Sequence, residues 1–343
     1  MSTITSPEVT AQAQLHALLE ATALAPLSAI GWIKVSGEDR VRWLNGMTTN
    51  SIQSLASGEL NYNFFLSSQG RIQGDAVALA LDSSILLGTA RDRVPALMEL
   101  LDRFIIMDDV ELAEHPSNGL LVAGPQASQT LASIGIPTGD LAPLHFTIIG
   151  SDETGWHGHK IAILHAYSPL VPRFELWSES PAAIAALTDV LTTAGATPVD
   201  EQALTHLRIL EGTPLYGTDI RDKELPQETN QTRALHFSKG CYLGQEIVER
   251  IRSRGAVHRT FHAFELTGDL QSPGTILEAN GKPVGELTTI ATIPLASGPK
   301  NLALGYIRRE ALELSQARNT PIAYAGGEAN PVTTPFVIAE RSA

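Results

Sequence analysis

Residues 118–135, "NGLLVAGPQASQTLASIG", settle how this chain is divided, because residues 29–46, "AIGWIKVSGEDRVRWLNG", follow the same plan. Val35 and Val122, Gly37 and Gly124, and Leu44 and Leu131 each stand 87 residues apart. Both stretches read as a strand, a glycine turn and the start of a helix, since an apolar β-rich run gives way to apolar residues at helical spacing. A second echo sets "LLGTARDRVPALMELL" (86–101) against "ELWSESPAAIAALTDVL" (175–191). There Val94 and Ile184, Leu97 and Leu187, and Leu101 and Leu191 are each 90 apart. Two offsets this close predict two similar α+β halves, each packing helices on one antiparallel sheet. The cleft between such halves is the expected ligand site.

Within the first half, "LNYNFFLSS" and "RIQGDAVALAL" are β-rich runs joined by the hairpin signal "SQGR", and "SSILLGTA" continues the sheet. "RVPALMELLDRF" closes the unit as an amphipathic helix with Val94, Leu97, Leu100 and Leu101 on one face. After Gly255 the texture changes to short strand-like runs, "RTFHAFELTG", "GTILEANGKPVGELTTI" and "NLALGYI", with "NGKP" as a hairpin signal. A β-barrel or sandwich of about ninety residues is expected there. The expected fold class is therefore α+β, two similar α+β domains over 15–112 and 113–254 followed by a C-terminal β-barrel over 255–343.

Composition sets outer limits. The chain has 343 residues, 43% hydrophobic and 18% charged, enough to bury one large or several smaller cores. Its formal charge of −13 argues by repulsion against a broad footprint on nucleic acid. The opening "MSTITSPEVTAQ" has no basic start or apolar core of a secretory signal, and no run approaches the roughly eighteen apolar residues of a membrane helix. A cytoplasmic protein without membrane or direct nucleic-acid partners is expected. Arg250, Arg252, Arg254 and Arg259 form a basic run that reads either as an anion site or as an ion-paired surface. His157 and His159 lack a third ligand, so no metal is expected. "VAGPQA" lacks the G-x-G-x-x-G pattern, and neither a P-loop nor a G-x-S-x-G elbow occurs.

The only cysteine, Cys241, lies in "FSKGCYLGQEIVER" (237–250). It cannot form an internal disulfide. Gly240 and Gly244 permit tight backbone, "GQEIVERI" reads as a helix start, and Lys239 with the arginines beyond adds positive charge. Helix N-termini and cations favour the reactive thiolate. The other reading is a buried cysteine acting as a small hydrophobe.

"KGCYLGQE" (239–246) resembles the signature of the YgfZ family, folate-binding proteins linked to iron–sulfur cluster assembly or repair and to cluster-dependent tRNA modification. "WLNGMTTNSIQSLASGELNYNFFLSSQGRIQGDA" (43–76) and "LRILEGTPLYGTDIRDKELPQET" (207–229) are similar to the wider superfamily of the glycine-cleavage T-protein. That protein is an aminomethyltransferase using tetrahydrofolate, built as two related α+β domains and a C-terminal β-barrel. The resemblance implies tetrahydrofolate or a related folate as cofactor, and iron–sulfur proteins or their assembly factors as partners. It implies Cys241 and Asp75 as the reactive residues, although Gly74 stands where the T-protein has another acid. It implies Glu175 as acceptor for the pterin, Tyr167 as a stacking ring and Arg208 as partner for a folate carboxylate. Each has an ordinary structural alternative: Glu175 as an outward strand residue, Tyr167 as a core ring with a wet hydroxyl, Arg208 paired with an acid of the chain. The "LVP" loop after Tyr167 is one residue longer than the T-protein's, and Leu210 replaces an acid near Arg208. Three functions follow: a folate-binding accessory protein, a folate-dependent one-carbon transferase, or a scaffold with a vestigial pocket. A single thiol does not supply the roughly four ligands of a permanent cluster.

Overall fold

The computed structural model of the protein describes residues 10–150, 156–255, 257–318 and 320–336. Most of the polar opening stretch and the Arg254 side chain lie outside that description. The chain begins with α1 (Ala11–Glu20) and β1 (Ala23–Pro26), then runs β2 (Ile30–Ser36), α2 (Arg40–Met47), β3 (Leu60–Leu66), β4 (Ile72–Ala80), β5 (Ile85–Ala90), α3 (Val94–Asp102) and β6 (Glu111–His115). It continues with β7 (Asn118–Ala123), α4 (Ala127–Ser133), β8 (Phe146–Ile149), β9 (Ile161–His165), β10 (Arg173–Ser178), α5 (Pro181–Thr193), β11 (Thr197–Pro198), α6 (Glu201–Glu211) and α7 (Gln245–Arg254). The last part comprises β12 (Arg259–Gly268), β13 (Ile276–Ala279), β14 (Lys282–Leu295), β15 (Gly298–Arg308), α8 (Arg309–Arg318), β16 (Ala323–Tyr324) and β17 (Gly327–Val332).

The strands form two sheets and a closed barrel. The first sheet has the order β3-β4-β5-β2-β6 and the second β8-β9-β10-β7-β1-β11, so the same positions recur in both. All neighbours are antiparallel except β1 and β11. The barrel closes as β12-β15-β14-β13-β16-β17. The expected fold class is the one found: two α+β units with antiparallel sheets and a C-terminal β-barrel.

The repeat has a physical basis at each matched position. Gly37 and Gly124 end β2 and β7 with φ of +100° and +119°, and a Cβ at either would strike backbone oxygen, Asp109 O at 2.0 Å or Ala21 O at 2.4 Å. Leu44 and Leu131 are fully buried beneath their sheets. Helix α3 buries Val94, Leu97 and Leu101, while α5 buries Leu187 and Leu191 with Ile184 packed beside them.

Trp32 on β2 lies over Gly88 of β5, and Trp177 on β10 lies over Gly119 of β7. Trp32 and Gly119 are themselves 87 residues apart, so the ring-on-glycine pair occurs in both sheets with its members exchanged. The two indoles meet edge to face, centroids 5.1 Å apart. A Cβ at position 119 would sit 2.4 Å from Trp177 Cζ3. Gly119→Ala is therefore expected to cost about 1–3 kcal/mol in urea denaturation through overpacking, and an unchanged midpoint would show that the ring is free to move.

Two segments cross between units in a way sequence order does not suggest. Residues 15–26 were expected with the first unit, yet β1 pairs with β7 and carries buried Leu24 into the core of the second sheet with Leu131 and Leu187. Residues 216–254 were expected with the second unit, yet Tyr216, Ile220, Ala234, Tyr242 and Val248 pack against Phe64, Leu66 and Ile72 of the first sheet. The reason in each case is apolar complementarity to the far sheet, which chain proximity does not encode.

The barrel is fastened by arginine–acid pairs. Arg208 of α6 donates to Asp219 at 2.5 Å and to Thr289 Oγ1 at 3.1 Å, while Asp219 also accepts from Thr288 and Thr289 of β14. Arg221 forms a two-pronged pair with Glu286 at 2.8 and 3.2 Å, and Arg259 pairs with Glu224 and Glu228. No helix among the described residues is long and apolar enough to cross a membrane.

Candidate functional site

The end of α2 and the turn after it, residues 45–50, are the hub on which the candidate site is assembled. Thr49 Oγ1 accepts from Phe64 N and donates to Ala234 O at 2.6 Å. Asn50 Nδ2 donates to Tyr62 O at 3.1 Å and to Arg233 O at 2.8 Å. Two polar side chains thus clamp a short helical turn, Thr232–Ala234, onto β3.

Lys239 enters the same hub. Its Nζ donates to the carbonyls of Asn45, Thr48 and Asn50 at 2.7, 2.6 and 2.6 Å. Burial pushes its pKa down to about 7. Three carbonyl acceptors nevertheless match the three donors of an ammonium and leave no partner for an amine lone pair. The carbonyl end of α2 also favours a cation. Lys239 is therefore turned inward and anchors the cysteine loop, whereas the sequence suggested that it flanks the thiol. Cys241 itself is exposed, ahead of α7, whose start is set by Gly244 at φ +79° packed on Ser67 O. The thiol is not a core residue. Thiol reagents are expected to label Cys241 in the native protein nearly as fast as in urea, and strong native protection would contradict its exposure.

A polar cluster spans the two sheets. Tyr62 on β3 and Asp75 on β4 are diagonal neighbours on one face, and Tyr62 OH donates to Asp75 Oδ2 at 2.6 Å. Burial lifts the Asp75 carboxyl to about 6, and burial together with the Asp75 charge holds the Tyr62 hydroxyl well above its ordinary range. Arg233 lies over two rings, its Cζ 4.2 Å from the centroid of Tyr62 and 4.0 Å from that of Tyr167. Burial lowers the Arg233 pKa, opposed by Tyr62, Tyr167, Asp75 and Glu211. Burial likewise raises the Glu211 carboxyl, opposed by a hydrogen bond from Ser168 and by Arg173 and Arg233. Arg173 then grips Glu175 Oε1 at 2.8 and 3.1 Å, and Trp177 Nε1 donates to Glu175 Oε2 at 3.3 Å. Next to Trp177, the buried Nε1 of Trp32 has no hydrogen-bond partner among the described residues. These contacts form two groups, Tyr62 and Asp75 with Arg233 and Tyr167, and Arg173 with Glu175 and Trp177, and the charges of Arg233 and Arg173 both act on Glu211.

Arg233 and Tyr62 link Tyr167 to Asp75, while Glu175 is held by Arg173 and Trp177. Glu175 is 8% exposed and inward, so it is not the outward strand residue of the alternative reading. Tyr167 is 41% exposed and stands at the rim. Arg208 is not brought to them: its guanidinium is engaged by Asp219, Thr213 O and Thr289, which corrects its expected place beside a ligand. Cys241 makes none of these contacts; it is exposed, in the loop whose Gly244 packs on Ser67 O of the β3–β4 turn. Of the basic run, Arg259 is spent on Glu224 and Glu228, and Arg252 lies over the Phe237 ring at 4.5 Å. Tyr62, Arg173, Glu211 and Arg233 complete the cluster without having been singled out as binding residues. Alternation along "LNYNFF" marks Tyr62, but nothing in "NQTRAL" marks Arg233.

Comparison with known proteins agrees with this architecture. Residues 6–239 match the GCVT N-terminal domain, and residues 259–335 match the CAF17 C-terminal β-barrel domain. A chloroplastic protein of Arabidopsis thaliana, named as a transferase, is 27% identical over 309 residues, covering 88% of this chain and 68% of that protein. An aminomethyltransferase of Frankia alni is 25% identical over 312 residues, covering 85% and 80%. The crystal structure of glycine cleavage system aminomethyltransferase T from Bartonella henselae shares the fold, with a TM-score of 0.83 and 20% identity over 97% of this chain and 91% of that one.

Proposed function

From the premise that the chain belongs to the GCVT family and, by its CAF17-type barrel, to the YgfZ branch of it, we propose that it binds tetrahydrofolate or a related folate in the Tyr62–Glu175 cluster. The observation that supports it is the link of Asp75 and Tyr167, from separated segments, through Tyr62 and Arg233, with Glu211 under the charges of both Arg233 and Arg173, the partner of Glu175. The donor set suits a pteridine. Carboxylates at Asp75 and Glu175 accept from amino and ring N–H groups, Tyr62 and Tyr167 offer faces to a flat ring, and the orphaned Trp32 N–H offers a buried donor to a carbonyl. The folate, when bound, carries the one-carbon unit.

Titration calorimetry of the intact protein with tetrahydrofolate tests this reading. Asp75 has its pKa raised to about 6, so it is ionised at pH 7.5 and mostly neutral at pH 5. A neutral carboxyl loses acceptor strength, so affinity is expected to fall by up to about tenfold per pH unit below that value. Asp75→Asn flattens that pH dependence. Affinity that is independent of pH in both proteins contradicts a role for the Asp75 charge.

As to what binding serves, the accessory role in iron–sulfur cluster assembly or repair, with any effect on tRNA modification passing through a cluster-bearing enzyme, is supported by the placement of Cys241. The thiol is exposed and separate from the ring-binding cluster, where a partner protein can reach it. If Cys241→Ala abolishes complementation in a dependent cell while folding and folate binding persist, the two sites have distinct duties. A silent Cys241→Ala refutes a duty for the thiol. A one-carbon transferase is the second reading, favoured by a buried carboxyl poised near neutral pH for proton transfer. Steady turnover of an aminomethyl or N-methyl substrate, abolished by Asp75→Asn, is its test.

A further inference from the structure

We propose that Arg233 is an internal stand-in for the ligand ring: its guanidinium fills the Tyr62–Tyr167 slot in the ligand-free protein and swings out when a 2-aminopyrimidinone ring enters. The inference rests on the folate reading for the identity of the incoming ring. The guanidinium carbon of Arg233 lies over both tyrosine rings, 4.2 Å from the Tyr62 centroid and 4.0 Å from that of Tyr167, within cation–π range of each. The guanidinium presents an N–C–N edge of N–H donors, and the same edge recurs in the 2-amino-pyrimidinone half of a pterin. The charges of Asp75 and Glu211 favour a cation at this place. What suits one planar N–C–N donor suits the other.

The residue is also built to leave. Arg233 takes part in no ion pair among the described residues, although the other arginines of the core, Arg173, Arg208, Arg221 and Arg259, are all paired. Its Nε donates only to Gln231 Oε1, two residues away, at 3.1 Å. The backbone of its turn is fixed independently, by Asn50 on Arg233 O and Thr49 on Ala234 O, so the side chain withdraws without loss of the turn. Tyr167, the outer wall, is at the protein surface, which gives the guanidinium water to enter. A residue that occupies a site in the free protein weakens apparent affinity by the fraction of time it is inside.

The test compares wild type, Arg233→Ala and Arg233→Lys, each checked for folding by circular dichroism. In calorimetry with tetrahydrofolate, Arg233→Ala is expected to bind about tenfold more tightly than wild type, with Arg233→Lys close to Ala because lysine lacks the flat fork. Equal or weaker binding by Arg233→Ala, with wild type still binding, overturns the stand-in and leaves the folate reading intact. A second readout needs no folate. Methylguanidinium is expected to raise the melting temperature of Arg233→Ala relative to wild type at matched ionic strength. An equal response in both proteins overturns the stand-in, whatever tetrahydrofolate does, whereas failure of every protein to bind tetrahydrofolate, with methylguanidinium rescue present, condemns the folate reading alone.

Discussion

Asp219→Ala is expected to lower stability by about 3–5 kcal/mol, the largest effect of any single substitution considered for this protein. Asp219 is fully buried and its two oxygens accept from Arg208 Nη1 at 2.5 Å, Leu215 N at 2.9 Å, Thr288 Oγ1 at 2.5 Å and Thr289 Oγ1 at 2.7 Å. Alanine strands a largely buried guanidinium and three further donors at the junction of α6, the 213–220 loop and the barrel. The cost comes from the unpaired charge left behind, not from the bond removed. Exposed pairs give the contrast: Arg103 and Glu99 also meet at 2.5 Å, but both are open to solvent, and Glu99→Ala is expected to cost no more than about 0.5 kcal/mol. Urea denaturation of the two variants side by side measures the difference. A loss below about 1 kcal/mol for Asp219→Ala would mean that water reaches the joint.

The second large effect concerns the ligand. Glu175→Gln is expected to reduce tetrahydrofolate affinity by about tenfold to a hundredfold, the worth of hydrogen bonds to a charged acceptor. Glutamine keeps the size of the side chain and one oxygen for Trp177 Nε1, and Arg173, 27% exposed, retains access to water. Folding should therefore persist, and the melting temperature is the control. Undiminished affinity would remove Glu175 from the ligand's contacts and leave it as the acidic half of an internal pair with Arg173.

Much of the architecture was legible because burial leaves a periodic trace. Val35 and Val122, Gly37 and Gly124, Leu44 and Leu131 hold the same places in two sheets of the same strand order, and each is fixed by packing or by a glycine-only backbone. What escaped was partnership across distance. Strand β1 is four residues long, "ALAP", too short for any period to show which sheet it joins. The 216–254 segment folds back on the first sheet through scattered apolar residues with no regular element between Tyr216 and Ala234 except short turns. Arg208 was misplaced because a guanidinium suits a ligand carboxylate and a buried aspartate equally, and only the fold decides between them. Asp75, Tyr167 and Glu175 were singled out only through family likeness. Arg233 was not, since its meaning lies in two rings drawn from β3 and from the loop before β10.

The most direct measurement is a crystal structure of the protein with tetrahydrofolate. The account predicts a flat ring between Tyr62 and Tyr167, Asp75 and Glu175 in hydrogen-bond contact with the ligand, and the Arg233 guanidinium moved out of the slot. Tetrahydrofolate bound elsewhere, with Arg233 still over the tyrosines and Glu175 held by Arg173 alone, would contradict it.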